Sequence, residues 1–138
     1  MTDAIVISCD GGARGNPGPA AIGAVVCDAT VDPPDRLLTV SERIGVATSN
    51  VAEYRALIAA LEAAAELGAR SVHVRADSQL MIRQLEGRYR VKNAGLKPLY
   101  AQVRDLLAAY DDVVLEHVPR DENTDADELV NAALDLGE

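Results

Sequence analysis

The sequence contains no tryptophan, no phenylalanine and only two cysteines. Without the two largest apolar rings, a core must be assembled from Ala, Val, Leu and Ile, which is ordinary for a domain that alternates strands and helices. Cys9 and Cys27 lie inside apolar, strand-like runs, where a reduced thiol behaves as a small hydrophobe. They permit a disulfide without implying one and favour a cytoplasmic setting. No apolar run approaches the ~20 residues that cross a bilayer, so no membrane partner is expected. No targeting signal opens the chain, because the apolar stretch from Ala4 to Cys9 is short and runs straight into Asp10-Gly11-Gly12-Ala13-Arg14-Gly15-Asn16-Pro17. Internal repeats and low-complexity tracts are also missing. The 138 residues suffice for one domain with its own core and are too few for two, so residues 1–138 are read as a single domain.

Positive charge is scarce as well. Thirteen Lys and Arg stand against 22 Asp and Glu, for a net charge of -9, and such a balance argues at first against a nucleic-acid partner. Its distribution matters more than its total. Between Arg83 and Lys97 five basic residues, Arg83, Arg88, Arg90, Lys92 and Lys97, face one acid, Glu86, so a basic patch sits on an acidic body. The surplus of Asp, and of Arg over Lys, suits a protein adapted to concentrated salt.

Hydrophobic periodicity supplies the element order. Ala4 to Cys9 is a nearly continuous apolar run of strand length, suited to a central strand covered on both faces, with Asp10 at its end. Ala20 to Ala29 and Arg36 to Val46 read as two further strands around the Asp32-Pro33-Pro34-Asp35 turn, giving an antiparallel meander. After Asn50, the residues Tyr54, Leu57, Ile58, Leu61 and Ala65 recur at helical spacing, and Gly68 supplies a stop. Ser71 to Ala76 alternates as a strand that ends at Asp77. A short helix from Ser78 to about Glu86 leads through the basic segment to an amphipathic helix marked by Leu96, Leu99, Tyr100, Val103, Leu106, Leu107 and Tyr110, with Pro98 in its first turn. Asp112 to Val118 is the fifth strand, and Ala126, Leu129, Val130, Ala133 and Leu134 mark a last helix. The order is βββαβααβα.

Four carboxylates fall at telling places on that map: Asp10 and Asp77 end strands, Glu53 stands in the first turn of the first long helix, and Asp127 near the start of the last. Ligands of open α/β sheets bind at the carboxyl ends of strands, and Asp10 and Asp77 become neighbours if their strands lie side by side and parallel. Three of the four also have a local reading. Asp10 could open an Asp-Gly turn, Glu53 could complete a capping box with Asn50, and Asp77 could cap the helix beginning at Ser78. Taken together, four acids converging on one edge repel one another unless cations hold them.

In the same order, four stretches resemble type 1 ribonuclease H over essentially the whole chain. They are Asp10 to Pro19, Thr48 to Leu57, Ala76-Asp77-Ser78-Gln79-Leu80, and Val118 to Leu129. The resemblance implies the ribonuclease H fold, a five-stranded mixed sheet in the order 3-2-1-4-5 with strand 2 antiparallel to the rest and helices flanking it. It implies that Asp10, Glu53, Asp77 and Asp127 bind two divalent cations, magnesium with manganese as an alternative, and that Asp10 is shared by both. Two ions ~3.5–4 Å apart activate a water on one side of a phosphodiester and stabilise the leaving 3′-oxygen on the other. The implied activity is endonucleolytic hydrolysis of the RNA strand of an RNA–DNA hybrid, with 5′-phosphate and 3′-hydroxyl products, by a monomer.

Telling RNA from DNA requires contact with the 2′-hydroxyl. By resemblance Gly12, Asn16, Asn50 and Gln79 lie near the RNA strand and Thr48 near a phosphate, while Arg88, Arg90 and Lys92 are what remains of a longer basic protrusion in better-known bacterial members. The glycine loop also reads as a turn needing positive φ, and it is no nucleotide P-loop because no Gly-Lys-Ser/Thr follows. Many members carry a catalytic histidine on a flexible loop before the last helix. Here that connection is only Pro119 to Asn123, so Arg120 is the candidate to serve there, or else a partner of Asp121 or Glu122 that orders the loop. His117, on the strand just before this loop, reads as a packed or solvated residue, with a catalytic role as the alternative. A non-cutting module of the same fold and an exonuclease are the alternatives to the endonuclease.

Overall fold

The computed structural model describes residues 2–136. The first strand is longer than the apolar run that announces it. β1 spans Ala4–Ala13, because Gly11 and Gly12 stay extended and pair with Ile22 and Ala21 instead of turning. β2 (Gly18–Asp28) runs antiparallel to β1, and β3 (Asp35–Ala47) antiparallel to β2. α1 (Ser49–Ala64) follows, extended by a single 3-10 turn to Leu67 and stopped by Gly68 in the left-handed conformation. β4 (Ser71–Ala76) lies parallel to β1, and β5 (Asp112–His117) parallel to β4. α2 (Gln79–Leu85) and α3 (Lys97–Leu107) fill the connection between them, and α4 (Thr124–Asp135) closes the described chain. The sheet order is β3-β2-β1-β4-β5, as the family resemblance implied.

Two layers of helices flank this sheet unequally. α1 and α3 cover one face, where Ile5, Ile7, Val72 and Val74 meet Tyr54, Leu57, Leu61, Val103 and Leu107 in the main core. Each such aliphatic side chain contributes about 1.5–3 kcal/mol on burial. α4 covers the other face with a smaller cluster of Val130, Ala133 and Leu134 over Ala21. It lies against β2, β1 and β3. The central strand is therefore not sealed on both sides: Ile5, Ile7 and Cys9 are buried, while Val6 and Ser8 are only half-buried. Both cysteines are free thiols.

Two glycines decide how closely the helices approach the end of β1. A Cβ on Gly11 would lie 2.2–2.4 Å from the backbone of Ala52 and Glu53, so the start of α1 rests directly on β1. A Cβ on Gly23 would lie 2.4 Å from the Ala126 carbonyl and 2.9 Å from the Val130 nitrogen, so α4 rests directly on β2. Gly23 is the register partner of Asp10. Small residues at these two positions thus bring both helix starts to the level of Asp10, one from each face.

Candidate active site

Asp10 sits inside β1 at the point where β1 parts from β4. The two strands pair as far as Cys9 and Ala76, which makes Asp10 and Asp77 neighbours just beyond that pairing. Glu53 reaches the same point from the first turns of α1. One carboxylate oxygen from each of Asp10, Glu53 and Asp77 lies within 4.8 Å of the others. They line an open cleft of about 490 Å³ with Gly12, Ser49, His117, Arg120, Asp127 and Asn131 among its walls.

The local readings of these acids do not survive. Asp10 lies within a continuous strand rather than opening a turn. α1 is capped by Thr48, whose hydroxyl accepts the Val51 N–H at 3.2 Å, so Glu53 is not spent on a capping box with Asn50. Ser78, not Asp77, caps α2 by accepting the Met81 N–H at 3.2 Å. Each acid is left to face the others, and the electrostatics record the conflict. Burial first, and then Asp77 and Asp127, push the Asp10 carboxyl up to about 8. Burial, Asp10 and Asp77 raise Glu53 well above its ordinary value, against a weaker opposing bond from the Gly11 N–H. Glu53 Oε2 is buried with no hydrogen-bond partner.

That donor set fits a hard divalent cation. It offers only carboxylate oxygens, it is crowded enough to resist full ionisation by itself, and one buried oxygen lacks a partner that a cation would supply. Asp127 faces Asp10 from α4 and accepts longer contacts at 3.4 Å from Arg120 Nη2 and from Asn131 Nδ2.

The other expected residues divide into four groups. Gly12 and Arg120 line the cleft. Arg120 pairs with Asp127 rather than with its neighbours Asp121 and Glu122, and Glu122 turns instead toward Arg75 at 3.7 Å. Asn16 and Thr48 serve the start of α1, since Asn16 Oδ1 accepts the Ser49 N–H at 3.1 Å beside the Thr48 cap. Asn50 and Gln79 are exposed on the first turns of α1 and α2. The turn between β1 and β2 is short, and Gly15 is its positive-φ residue. Arg88 and Arg90 line a separate groove of about 580 Å³ with Tyr89, Lys97 and Tyr100, and Lys92 is exposed nearby on the same connection.

Sequence reasoning missed Asn131 and Asn123. Asn131 had a signal, because it stands one helical turn after Asp127. Asn123 donates its Nδ2 hydrogen to the Cys9 carbonyl at 2.9 Å, a contact between distant parts of the chain that no periodicity announces. His117 also borders the cleft from the end of β5.

Comparison with known proteins agrees with this geometry. Residues 8–133 match the family described as reverse transcriptase-like. Ribonuclease HI of Halobacterium salinarum is 45% identical over 128 residues, which are 91% of this chain and 62% of that protein. The bifunctional protein Rv2228c of Mycobacterium tuberculosis is 48% identical over 131 residues, 95% of this chain. The chain thus spans only 35% of the length of this mycobacterial relative. The solved N-terminal RNase H domain of that protein, fused to maltose-binding protein, has a TM-score of 0.91 at 47% identity, covering 95% of this chain and 98% of that one. LC11-RNase H1, isolated from compost and solved in complex with an RNA/DNA hybrid, has a TM-score of 0.89 at 44% identity, covering 96% and 98%.

Proposed function

The chain belongs to the type 1 ribonuclease H family, and from that membership we propose that it hydrolyses the RNA strand of RNA–DNA hybrids as a metal-dependent endonuclease, leaving 5′-phosphate and 3′-hydroxyl ends. The observation that carries this reading is the convergence of Asp10, Glu53 and Asp77 within 4.8 Å at the mouth of an open cleft, with Asp127 beside Asp10. These four carboxylates would hold two divalent cations, magnesium by expectation and manganese as an alternative. Bound cations supply the Lewis acidity that makes a water nucleophilic and stabilises the departing oxygen.

The chain's own side chains do the rest. The carboxylates orient and are themselves relieved of mutual repulsion once cations are present. Arg120 stands beside Asp127 with its guanidinium largely exposed. A group that stays protonated cannot act as a general base near neutral pH, but it can steady a phosphate or ease product release. Gly12 in the cleft wall, together with Asn16, Asn50 and Gln79 near the starts of α1 and α2, would be the groups suited to reading the 2′-hydroxyl, and Thr48 the group suited to a phosphate. Arg88, Arg90 and Lys92 offer a cationic strip for a second stretch of backbone. LC11-RNase H1, a relative at 44% identity, was solved in complex with an RNA/DNA hybrid, which supports this reading.

A closed circular hybrid tests the mode of cutting. An endonuclease linearises its RNA strand and leaves a 5′-phosphate that a phosphatase removes. A circle left intact by protein that degrades the linear hybrid would establish an exonuclease instead.

A further inference from the structure

Asn123 holds the position before the first residue of α4, where an asparagine ordinarily turns its side-chain oxygen onto a backbone N–H of the first turn, a contact of about 1 kcal/mol. Here the carboxamide makes no such cap. Its Nδ2 donates instead to the Cys9 carbonyl, 114 positions away, and its Oδ1 is left buried without a partner. The acceptor is a carbonyl, so the amide nitrogen must be the atom that faces it. Asn123 is 2% exposed, and solvent does not compensate either loss.

A residue that forgoes a favourable local bond and strands an oxygen is held by something non-local, and its two bonds identify what. Cys9 is the last residue of β1 paired with β4, and its carbonyl belongs to the peptide that continues into Asp10. The Asn123 backbone carbonyl, for its part, accepts the Asp127 N–H at 3.2 Å. The side chain of one residue thus grips the strand beside Asp10 while its main chain grips the helical turn of Asp127. Among the described residues no other side chain is seen to bridge the peptides of these two acids.

We propose that Asn123 is a positioning residue that fixes Asp127 against Asp10 so that both carboxylates meet the same cation. The inference rests on reading the carboxylate cluster as a cation site. Groups one bond removed from metal ligands change affinity by roughly 10- to 100-fold when they are lost.

Asn123→Ser separates positioning from support of the helix. Serine caps a helix about as well as asparagine, but its shorter side chain does not reach the Cys9 carbonyl. Tyr54→Phe is the control, because it removes another buried bond, Tyr54 Oη to Gln84 Oε1 at 2.6 Å, between residues that do not line the cleft. Magnesium and manganese binding to the free protein is measured by calorimetry for wild type and both variants, together with kcat and KM on hybrid. Asn123→Ser is expected to stay folded, to bind cation roughly 10-fold or more weakly, and to lose kcat with KM little changed. Tyr54→Phe should bind cation as wild type does. A wild-type isotherm and kcat in Asn123→Ser, or an equal loss in Tyr54→Phe, would overturn the proposal. Should the serine variant not fold, Asn123→Thr takes its place with the same expectations, and failure of both to fold would assign Asn123 a purely structural role. If wild type itself binds no divalent cation, the reading of the site fails first. If wild type binds and cuts while Asn123→Ser is unaffected, only the positioning role is lost.

Discussion

At the scale of single residues, Asp10 carries a strong electrostatic conflict. It is 6% exposed and faces Asp77 and Asp127 at once, so without cations its charged form is opposed both by burial and by its neighbours. Its folded-state value near 8 lies above the ordinary 3.8. Between those two values the folded protein keeps a proton that the unfolded chain has released, so the contribution of Asp10 to stability is fully present below the lower value and is lost as pH rises through the upper one. In chelator, Asp10→Asn should therefore raise the melting temperature at pH 8 and change it little at acidic pH, and magnesium should shrink the advantage by stabilising wild type. Melting curves of both proteins at pH 4, 6 and 8 check this; a variant that is less stable at pH 8 in chelator would contradict it. The same substitution should lower hydrolysis by orders of magnitude. Arg120→Ala belongs to this scale too. Its contact with Asp127 is long and exposed, and such a pair is worth about 0–1 kcal/mol. The variant should fold and bind cation normally but turn over more slowly, and unchanged single-turnover and steady-state rates would reduce Arg120 to a loop contact.

At the scale of elements, the site exists because two helices are seated on glycines. Gly23→Ala would drive a methyl group into the backbone of α4 at 2.4 Å, and the overlap is relieved only by moving the helix that carries Asp127. Overpacking of this kind costs about 1–3 kcal/mol, and backbone contact puts this case toward the upper end. Denaturant unfolding should show that loss, and calorimetry should show weaker cation binding; a variant matching wild type in both would mean that α4 tolerates displacement. α4 is further tied down by Arg36 to Asp125 at 3.3 Å and by the Ser41 hydroxyl donating to the Leu129 carbonyl at 2.7 Å. Much of this level was legible beforehand. Period-two and period-3.6 patterns set every strand and helix in order, and the position of Asp77 just past the end of β4 followed from them, whereas Asp10 lies inside β1, where that strand stops pairing with β4. What stayed illegible was non-local. Gly11 looks the same in a turn as in a strand that needs space for a helix, and Asn123 looks like an ordinary cap until its partner at Cys9 is seen. Arg120 had three acids within reach, and sequence distance favoured the two it does not use.

At the scale of the whole molecule, the proposed function would require a chain of net charge -9 to hold a polyanion. Several of its arginines are engaged with carboxylates, including Arg36, Arg70, Arg75 and Arg83. Arg90 and Lys92 are exposed and have no acidic partner among the described residues, and Arg88 has only a 3.8 Å contact to Glu86. Each phosphate contact contributes roughly 0.9 to the slope of log affinity against log salt for a duplex. Replacing Arg88, Arg90 and Lys92 with Gln should weaken hybrid binding and flatten that slope by up to about 3, with the rate at saturating hybrid nearly unchanged. Binding across a salt series in the Asp10→Asn background measures this, and parallel lines of equal affinity would remove the strip from the binding surface. The account as a whole stands on a metal-dependent choice of RNA paired with DNA. Labelled RNA–DNA hybrid, duplex RNA and duplex DNA incubated with wild type and Asp10→Asn, with magnesium and with chelator, test that choice in one gel. Cleavage confined to the RNA strand of the hybrid, present only for wild type with magnesium, is the predicted result; cutting of the hybrid in chelator, or undiminished cutting by folded Asp10→Asn, would contradict it.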